Sequence, residues 1–263
     1  YNWLFSLDLP ASMPQGLENP AFILDDFQLL SKTPILTKQR YTLRSSLNYR
    51  TANPKRREMT SALALPEGVN GKTLALGQES SNEGLSHQQI VDRALAYYRT
   101  NDFYYTRQPP LLDVDPVDDF LFNTRRGFCE HYATSFVTLM RAAGVPARVV
   151  TGYQGGENNQ LGNYLIVRQS NAHAWAEVWL DKSGWTRVDP TSNIPLERVE
   201  DAIDTQRFAT TDLLNTVAQS KQFNLFSRSF FRMRQMWDSV NHGWNQWVLG
   251  FDREQQDKLL RAL

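Results

Sequence analysis

Apolar and polar positions change texture along the chain. From Gln39 to Thr51 they alternate with period two. Tyr41, Leu43, Leu47 and Tyr49 fall on one side, and Arg40, Thr42, Arg44, Ser46, Asn48 and Arg50 on the other. This predicts a half-buried strand. Pro10, Pro14, Pro20, Pro34, Pro54 and Pro66 punctuate the surrounding sequence and disfavour long helices there. Residues 1–80 therefore read as a small β-rich subdomain.

Helical spacing takes over near Ser86. Ser86 and Gln89 fit a capping box, and Ile90, Val91, Ala94, Leu95 and Tyr98 keep a helical stripe. After the Pro-rich stretch Gln108–Leu112, Asp115-Pro116 marks the start of a second, short helix. A third helix is predicted from Phe128 to Ala143, with Ala133, Phe136, Val137, Met140 and Ala143 on one stripe. Gly144 and Pro146 stop it. β-branched apolar runs follow at Ala147–Tyr153, Asn163–Arg168, His173–Leu180 and Trp185–Val188. The connections between them are too short for parallel crossovers, so the sheet is antiparallel and the class α+β. Residues 81–199 make this core. Residues 200–263 read as a helical C-terminal extension. There Met233, Trp237, Val240, Trp244, Trp247 and Phe251 form an apolar face that packs on the domain or lies on a membrane surface.

Composition narrows the function. The 263 residues carry 28 Lys plus Arg and 28 Asp plus Glu, so no basic excess favours nucleic acid as a partner. A single cysteine excludes intrachain disulfides and Cys-rich zinc sites. No stretch is apolar enough to span a bilayer, and the opening Tyr1-Asn2-Trp3 resembles no signal peptide. The chain is expected to be a piece of a longer protein.

Cys129 lies in Arg126-Gly127-Phe128-Cys129-Glu130-His131-Tyr132-Ala133, at the predicted start of the third helix. A helix N-terminus favours the thiolate, and Gly127 would let backbone approach a ligand. A buried structural cysteine is the alternative. A nucleophilic thiol needs a base and the base needs an orienting group. His87 and His242 sit in polar helical surroundings, and His131 faces away from Cys129. His173 lies on a strand where His173, Trp175, Glu177 and Trp179 share one face. Asp189 ends the next strand, or is simply an Asp-Pro turn residue. Counting from the Asp181–Gly184 turn, its register with His173 is loose and calls for a bulge or a shift.

The blocks Gly127–Ala133, Leu139–Arg148, Thr151-Gly152-Tyr153, His173–Trp179 and Trp185–Thr191 resemble the transglutaminase-like core, over roughly residues 85 to 195. The whole chain also resembles the extracytoplasmic part of a bacterial inner-membrane member of that group. The resemblance implies a papain-like fold in which the helix bearing the cysteine packs on an antiparallel sheet bearing the histidine and aspartate. It implies Cys129 as nucleophile, His173 as general base and acid, and Asp189 as the orienter of His173. It also implies a periplasmic domain attached to the inner membrane through segments outside this chain. Animal transglutaminases have Trp directly after the nucleophile, whereas Glu130 stands here, and no EF-hand-type loop is present. Calcium activation is therefore not expected, and neither a metal nor a cofactor is required.

The activity so implied is thiol-dependent acyl transfer. A glutamine-containing protein or peptide acts as acyl donor and a primary amine as acceptor, through a thioester. The backbone N–H of Cys129 is one oxyanion donor; the second is unassigned, with Asn123 a candidate that also reads as a solvated loop residue. Trp175 and Trp179 could wall the thioester from water, although core packing also explains Trp179. A cysteine peptidase or amidase acting on envelope peptides would use the same residues. A non-catalytic binding module on this scaffold is a further reading.

Overall fold

The computed structural model describes residues 1–51, 54–159 and 162–200. The predicted C-terminal stripe from Met233 to Phe251, and His242, lie outside them. Among the described residues, 1–49 with 159 and 162–163 form one compact unit, and 50–158 with 164–200 form another.

In the first unit β4 (Leu29–Ser31) pairs antiparallel with β1 (Trp3–Leu4) and β3 (Ala21–Ile23), and β2 (Leu9–Pro10) pairs with β5 (Ser45–Ser46). Leu4, Pro10 and Leu29 are buried among its described residues. The long strand expected over residues 39–51 shrinks to Ser45–Ser46 and an isolated bridge between Thr42 and Gln15. Tyr41 and Leu43 are half-buried while Thr42 and Arg44 are exposed, but Leu47 and Tyr49 are exposed too. Alternation buries a face only where a neighbouring strand runs beside it.

The second unit opens with α1 (Arg56–Leu63) and α2 (Gly71–Asn82), where the sequence had suggested only strands and loops. The prolines at 54 and 66 flank α1 rather than interrupt it. The cap of α2 is remote in sequence. The Asp118 carboxylate accepts the N–H groups of Lys72 (2.9 Å) and Thr73 (2.8 Å) and the Thr73 hydroxyl (2.6 Å). In return the Asn70 side chain accepts the N–H of Val117 (2.9 Å). Each segment thus satisfies helix-end donors of the other.

Beyond these, α3 (His87–Thr100) starts at the predicted capping box of Ser86 and Gln89. Next come β6 (Tyr104–Tyr105), the short α4 (Pro116–Asp118) continued by a π-helical turn Asp119–Thr124, and β7 (Arg126–Gly127). Strands β6 and β7 pair in parallel. Helix α5 (Cys129–Ala142) ends before Gly144, whose φ of 79° provides the left-handed stop.

Strands β8 (Ala147–Tyr153), β11 (Ala172–Leu180) and β12 (Gly184–Val188) form an antiparallel sheet in the order β12-β11-β8. Between β8 and β11 lies a ribbon of β9 (Glu157–Asn159) and β10 (Tyr164–Ile166). Strands β8, β10, β11 and β12 follow the four predicted runs, and β9 matches none of them. Helix α5 packs on β8 and β11. Ala174, Ala176 and Val178 point into the core with Phe136 and Met140, all buried. The other parity of β11 serves polar and aromatic contacts: Glu177 pairs with Arg148, and Trp179 meets Trp185 edge-on.

Candidate active site

Cys129 is the first residue of α5. Its N-cap is Phe128, in extended conformation and with no side-chain hydrogen bond to the helix. An apolar cap leaves the first-turn N–H groups uncovered by the side chain that usually takes them, and their partial positive charge beside the thiol. Gly127 plays a different part from the one expected. A Cβ there would lie 2.6 Å from His131 Cγ and 2.9 Å from Phe120 Cε2, so its missing side chain admits these rings rather than a ligand. His131 packs edge-on against Phe128, ring centroids 4.6 Å apart. Burial holds its pKa below the ordinary histidine value, with the Glu130 charge opposing.

His173 stands near the start of β11 with its side chain only 6% exposed. Its Nε2 lies 2.6 Å from Asp189 Oδ2. Asp189 follows β12 and caps a 3-10 turn, its Oδ1 accepting from the Thr191 N–H (3.1 Å) and hydroxyl (2.6 Å). Both oxygens of the carboxylate are therefore engaged. With Nε2 turned to Asp189, Nδ1 is the ring nitrogen left for the Cys129 thiol, whose ionisation the His173 side chain favours.

The charges reinforce one another. Burial pushes the Cys129 thiol up. Hydrogen bonds from the His173 ring, the Ala174 backbone N–H and the Tyr105 hydroxyl, with the His173 charge, outweigh it and leave the thiol below its usual value. Burial pulls His173 down, but hydrogen bonds and charge from Asp189 and Cys129 bring it up to about 9. Burial raises the Asp189 carboxyl, and the His173 bond and charge, with Thr191, bring it below its usual value. Near neutral pH the arrangement favours thiolate, imidazolium and carboxylate in contact.

Three neighbours were not read from the sequence in these roles. Trp175 had been considered only as a wall. Its ring lies 6.3 Å from the His173 ring, 23° from parallel, and Arg187 sits over it at 4.1 Å. Gly152, opposite His173 in the β8–β11 register, leaves the space: a Cβ there would lie 2.9 Å from Trp175 Cη2. The Thr-Gly-Tyr and His-Ala-Trp blocks carried this pair, but only the register shows that they meet. Tyr105, buried, comes from β6 beside Gly127, and it adds to what draws the Cys129 thiol down. No periodicity marked it.

The remaining candidates take other places. Asn123 is exposed and donates to Asp119 at 2.8 Å. His87 lies 3.3 Å from the Trp179 carbonyl through Nδ1, so it is not merely solvated. Among the described residues, no three His, Cys, Asp or Glu side chains gather as a metal site would require.

The family model of the transglutaminase-like superfamily matches residues 79–190. A protein-glutamine gamma-glutamyltransferase of Pseudomonas aeruginosa is 38% identical over 262 residues, which make 98% of this chain and 38% of that protein. This chain therefore spans well under half the length of that relative. The crystal structure of the periplasmic domain of TgpA from Pseudomonas aeruginosa, bound to ethylmercury, superposes with a TM-score of 0.67 at 38% identity. The match covers 75% of this chain and 70% of that one. A protein-glutamine gamma-glutamyltransferase 2 of Gallus gallus is 32% identical over 139 residues, 41% of this chain and 19% of that protein.

Proposed function

The chain belongs to the transglutaminase-like superfamily, and from that premise we propose that it is a protein-glutamine γ-glutamyltransferase using Cys129, His173 and Asp189. The observation that carries this reading is the Asp189 carboxylate 2.6 Å from Nε2 of a buried His173, with the Cys129 thiol at the uncapped start of α5 and its pKa drawn down by that ring.

Cys129 thiolate attacks the carboxamide carbon of a glutamine side chain. The carbonyl electron pair moves to oxygen, where the Cys129 N–H faces it. Collapse expels ammonia, and the His173 imidazolium supplies its proton. The thioester left behind is attacked by a primary amine. Neutral His173 takes the proton of that amine, and the isopeptide bond forms as the sulfur leaves. Asp189 fixes the ring orientation and stabilises its positive charge without itself becoming protonated. Water in place of the amine would give glutamate, so acyl transfer demands that water be kept from the thioester.

The donor is accordingly a glutamine-containing protein or peptide, and the acceptor a primary amine. No described helix is long and apolar enough to cross a membrane. The likeness to a periplasmic domain supports a place in the periplasm, as a domain of an inner-membrane protein anchored by segments outside this chain.

The test is incubation with a glutamine peptide and a labelled primary amine. Label incorporation that disappears in Cys129→Ala supports the assignment. Deamidation or backbone cleavage without incorporation replaces it with the amidase or peptidase reading, and activity undiminished in Cys129→Ala overturns both.

A further inference from the structure

His173, Trp175 and Glu177 follow one another on one side of β11, and the neighbouring strands set what meets them. Gly152 of β8 stands opposite His173, and Arg187 of β12 stands opposite Glu177. The Trp175 indole reaches Gly152, where a Cβ would lie 2.9 Å from its Cη2. Its ring centroid is 6.3 Å from that of His173, with the planes 23° apart. The Arg187 guanidinium carbon lies 4.1 Å from the indole centroid. His173 comes two positions before Trp175, and Arg187 is level with the residue two positions after it. The imidazole and the guanidinium therefore flank the indole from opposite ends.

Contact alone orients that ring. Trp175 Nε1 is buried and, among the described residues, has no hydrogen-bond partner, so the tether that usually fixes a buried indole is missing. Arg187 is exposed, and a cross-strand ion pair with Glu177 would be its ordinary use. Glu177 is held by Arg148 at 2.8 Å instead. Arg148 also meets Glu58 at 3.1 Å while lying over Trp185 at 4.2 Å. One face of the sheet thus carries two arginine–tryptophan contacts of different kinds. Arg148 is tied by two carboxylates, and its contact with Trp185 belongs to a network joining α1 to the sheet. Arg187 turns to the indole beside the histidine, where a planar cation sits well on the electron-rich face of the ring.

We propose that Arg187 is a positioning residue for His173: its guanidinium holds the Trp175 ring, and that ring keeps the imidazole aligned between the Cys129 thiol and the Asp189 carboxylate. Arg187 touches no reacting atom and takes no part in proton transfer. The assignment rests on His173 serving Cys129, as in the proposed function, but not on the acyl group being glutamyl. The charged groups that face the imidazole are Cys129 at the start of α5 and Asp189 after β12. Asp189 fixes the ring at one point, Nε2, 2.6 Å away. A single hydrogen bond leaves the ring free to swing about it, and a swing carries Nδ1 off the line to the thiol. A nearly parallel indole alongside removes that freedom, provided the indole itself cannot move.

Arg187→Met, made in the whole chain, keeps the aliphatic stem and removes the cation. Its kcat for amine incorporation should fall more than about threefold, toward the 10² that a misplacement of about 1 Å costs, with KM kept within about threefold. The iodoacetamide alkylation profile of Cys129 should move to higher pH, in the direction of His173→Ala, because a displaced imidazolium supports the thiolate less. Arg187→Lys keeps a cation able to lie over the ring and should lose less. Both variants should melt near the wild-type temperature, which separates positioning from support of the fold. Trp175→Leu removes the ring. In that background Arg187→Met should cost no more than about threefold further, whereas a direct field of Arg187 on the thiol would act with or without the ring. Wild-type kcat and profile in Arg187→Met, a loss as large in Arg187→Lys, or the full further loss without Trp175 each overturn the proposal. A wild type that incorporates no amine would sink the glutamyl-transfer reading and leave the alkylation profiles to judge Arg187.

Discussion

Asp189 reaches His173 diagonally across the β11–β12 ladder. The last pair of the ladder is Ala176 with Val188, so residue 189 falls one step on, opposite Trp175. His173 and Trp175 share a side of β11, and a diagonal neighbour lies within reach of a side chain. The carboxylate therefore closes to 2.6 Å without the bulge or register shift that counting from the turn had seemed to require. The 3-10 turn after Asp189 secures it, because Thr191 holds the oxygen that His173 does not use.

Removing that carboxylate should move the alkaline limit of activity. Its bond and charge, together with those of Cys129, lift His173 to about 9 against burial. In Asp189→Ala burial acts with less opposition, and His173 loses its proton at lower pH. We expect kcat to fall by about 10²–10⁴ with little change in KM, and the alkaline limb of the kcat profile to move below 9. An unmoved limb would show that Asp189 does not set the histidine. Stability follows the same linkage. A raised histidine contributes stability that is full below its unfolded value of 6.5 and lost as pH rises through about 9. The depressed Asp189 contributes above its unfolded 3.8 and loses that contribution as pH falls. The stability gap between wild type and Asp189→Ala should therefore narrow in acid.

Alkylation of Cys129 by iodoacetamide should persist well below the ordinary thiol value, because His173, Ala174 and Tyr105 together outweigh burial. In His173→Ala the main partner is gone while burial remains, so the profile should move to higher pH. The pH dependence of the second-order rate constant checks this. Identical profiles in the two proteins, both centred at a free thiol's roughly 8.5, would eliminate the ion pair.

Gly152→Ala tests the ring beside the histidine. The added methyl would meet Trp175 at 2.9 Å, and Trp175 has Arg187 over its own ring and lies nearly parallel to His173. The ring must shift, and with it the wall of the imidazole pocket. A misplacement of about 1 Å near reacting groups costs on the order of 10² in rate. We expect such a loss in kcat, with about 1–3 kcal/mol of stability. Trp175→Phe frees space, so in the double variant the two losses should be clearly less than multiplicative. Independent losses would show that these residues do not meet.

Legibility in the sequence followed locality. Helix α5, the meander and the capping box at Ser86 were readable because their periodicities and stops lie within a few residues of one another. The face of β11 that carries His173 and Trp175 was readable for the same reason. What escaped depends on partners distant in the chain. Tyr105 comes beside Gly127, two positions before Cys129, only through the parallel pairing of β6 with β7, and two-residue strands have no periodicity to detect. Gly127 and Gly152 could be noticed as glycines, but not assigned the rings they accommodate. Helix α2 was missed because its cap is Asp118, and its own N-cap residue, Asn70, gives it no side-chain bond.

That remote cap predicts where helix α5 depends on sequence before residue 81. Gly77 of α2 faces the C-terminal end of α5, where a Cβ would lie 2.5 Å from Ala142 Cβ and 2.9 Å from the Ala143 nitrogen. Part of this obstruction is backbone, which cannot rotate aside, so Gly77→Ala should force the helices apart and cost about 1–3 kcal/mol. Asp118→Ala should cost a similar amount by a different route, leaving the buried Thr73 N–H and hydroxyl without their acceptor. Neither change touches the N-terminal end of α5. Both variants should therefore melt at lower temperature while the alkylation profile of Cys129 stays unchanged at 25 °C. A chain trimmed to residues 81–199 removes all of α2 but its last two residues, Ser81 and Asn82, and should be destabilised more than either variant. Unfolding curves followed by circular dichroism decide this; a trimmed chain as stable as the whole would mean that α2 contributes nothing to holding α5 in place.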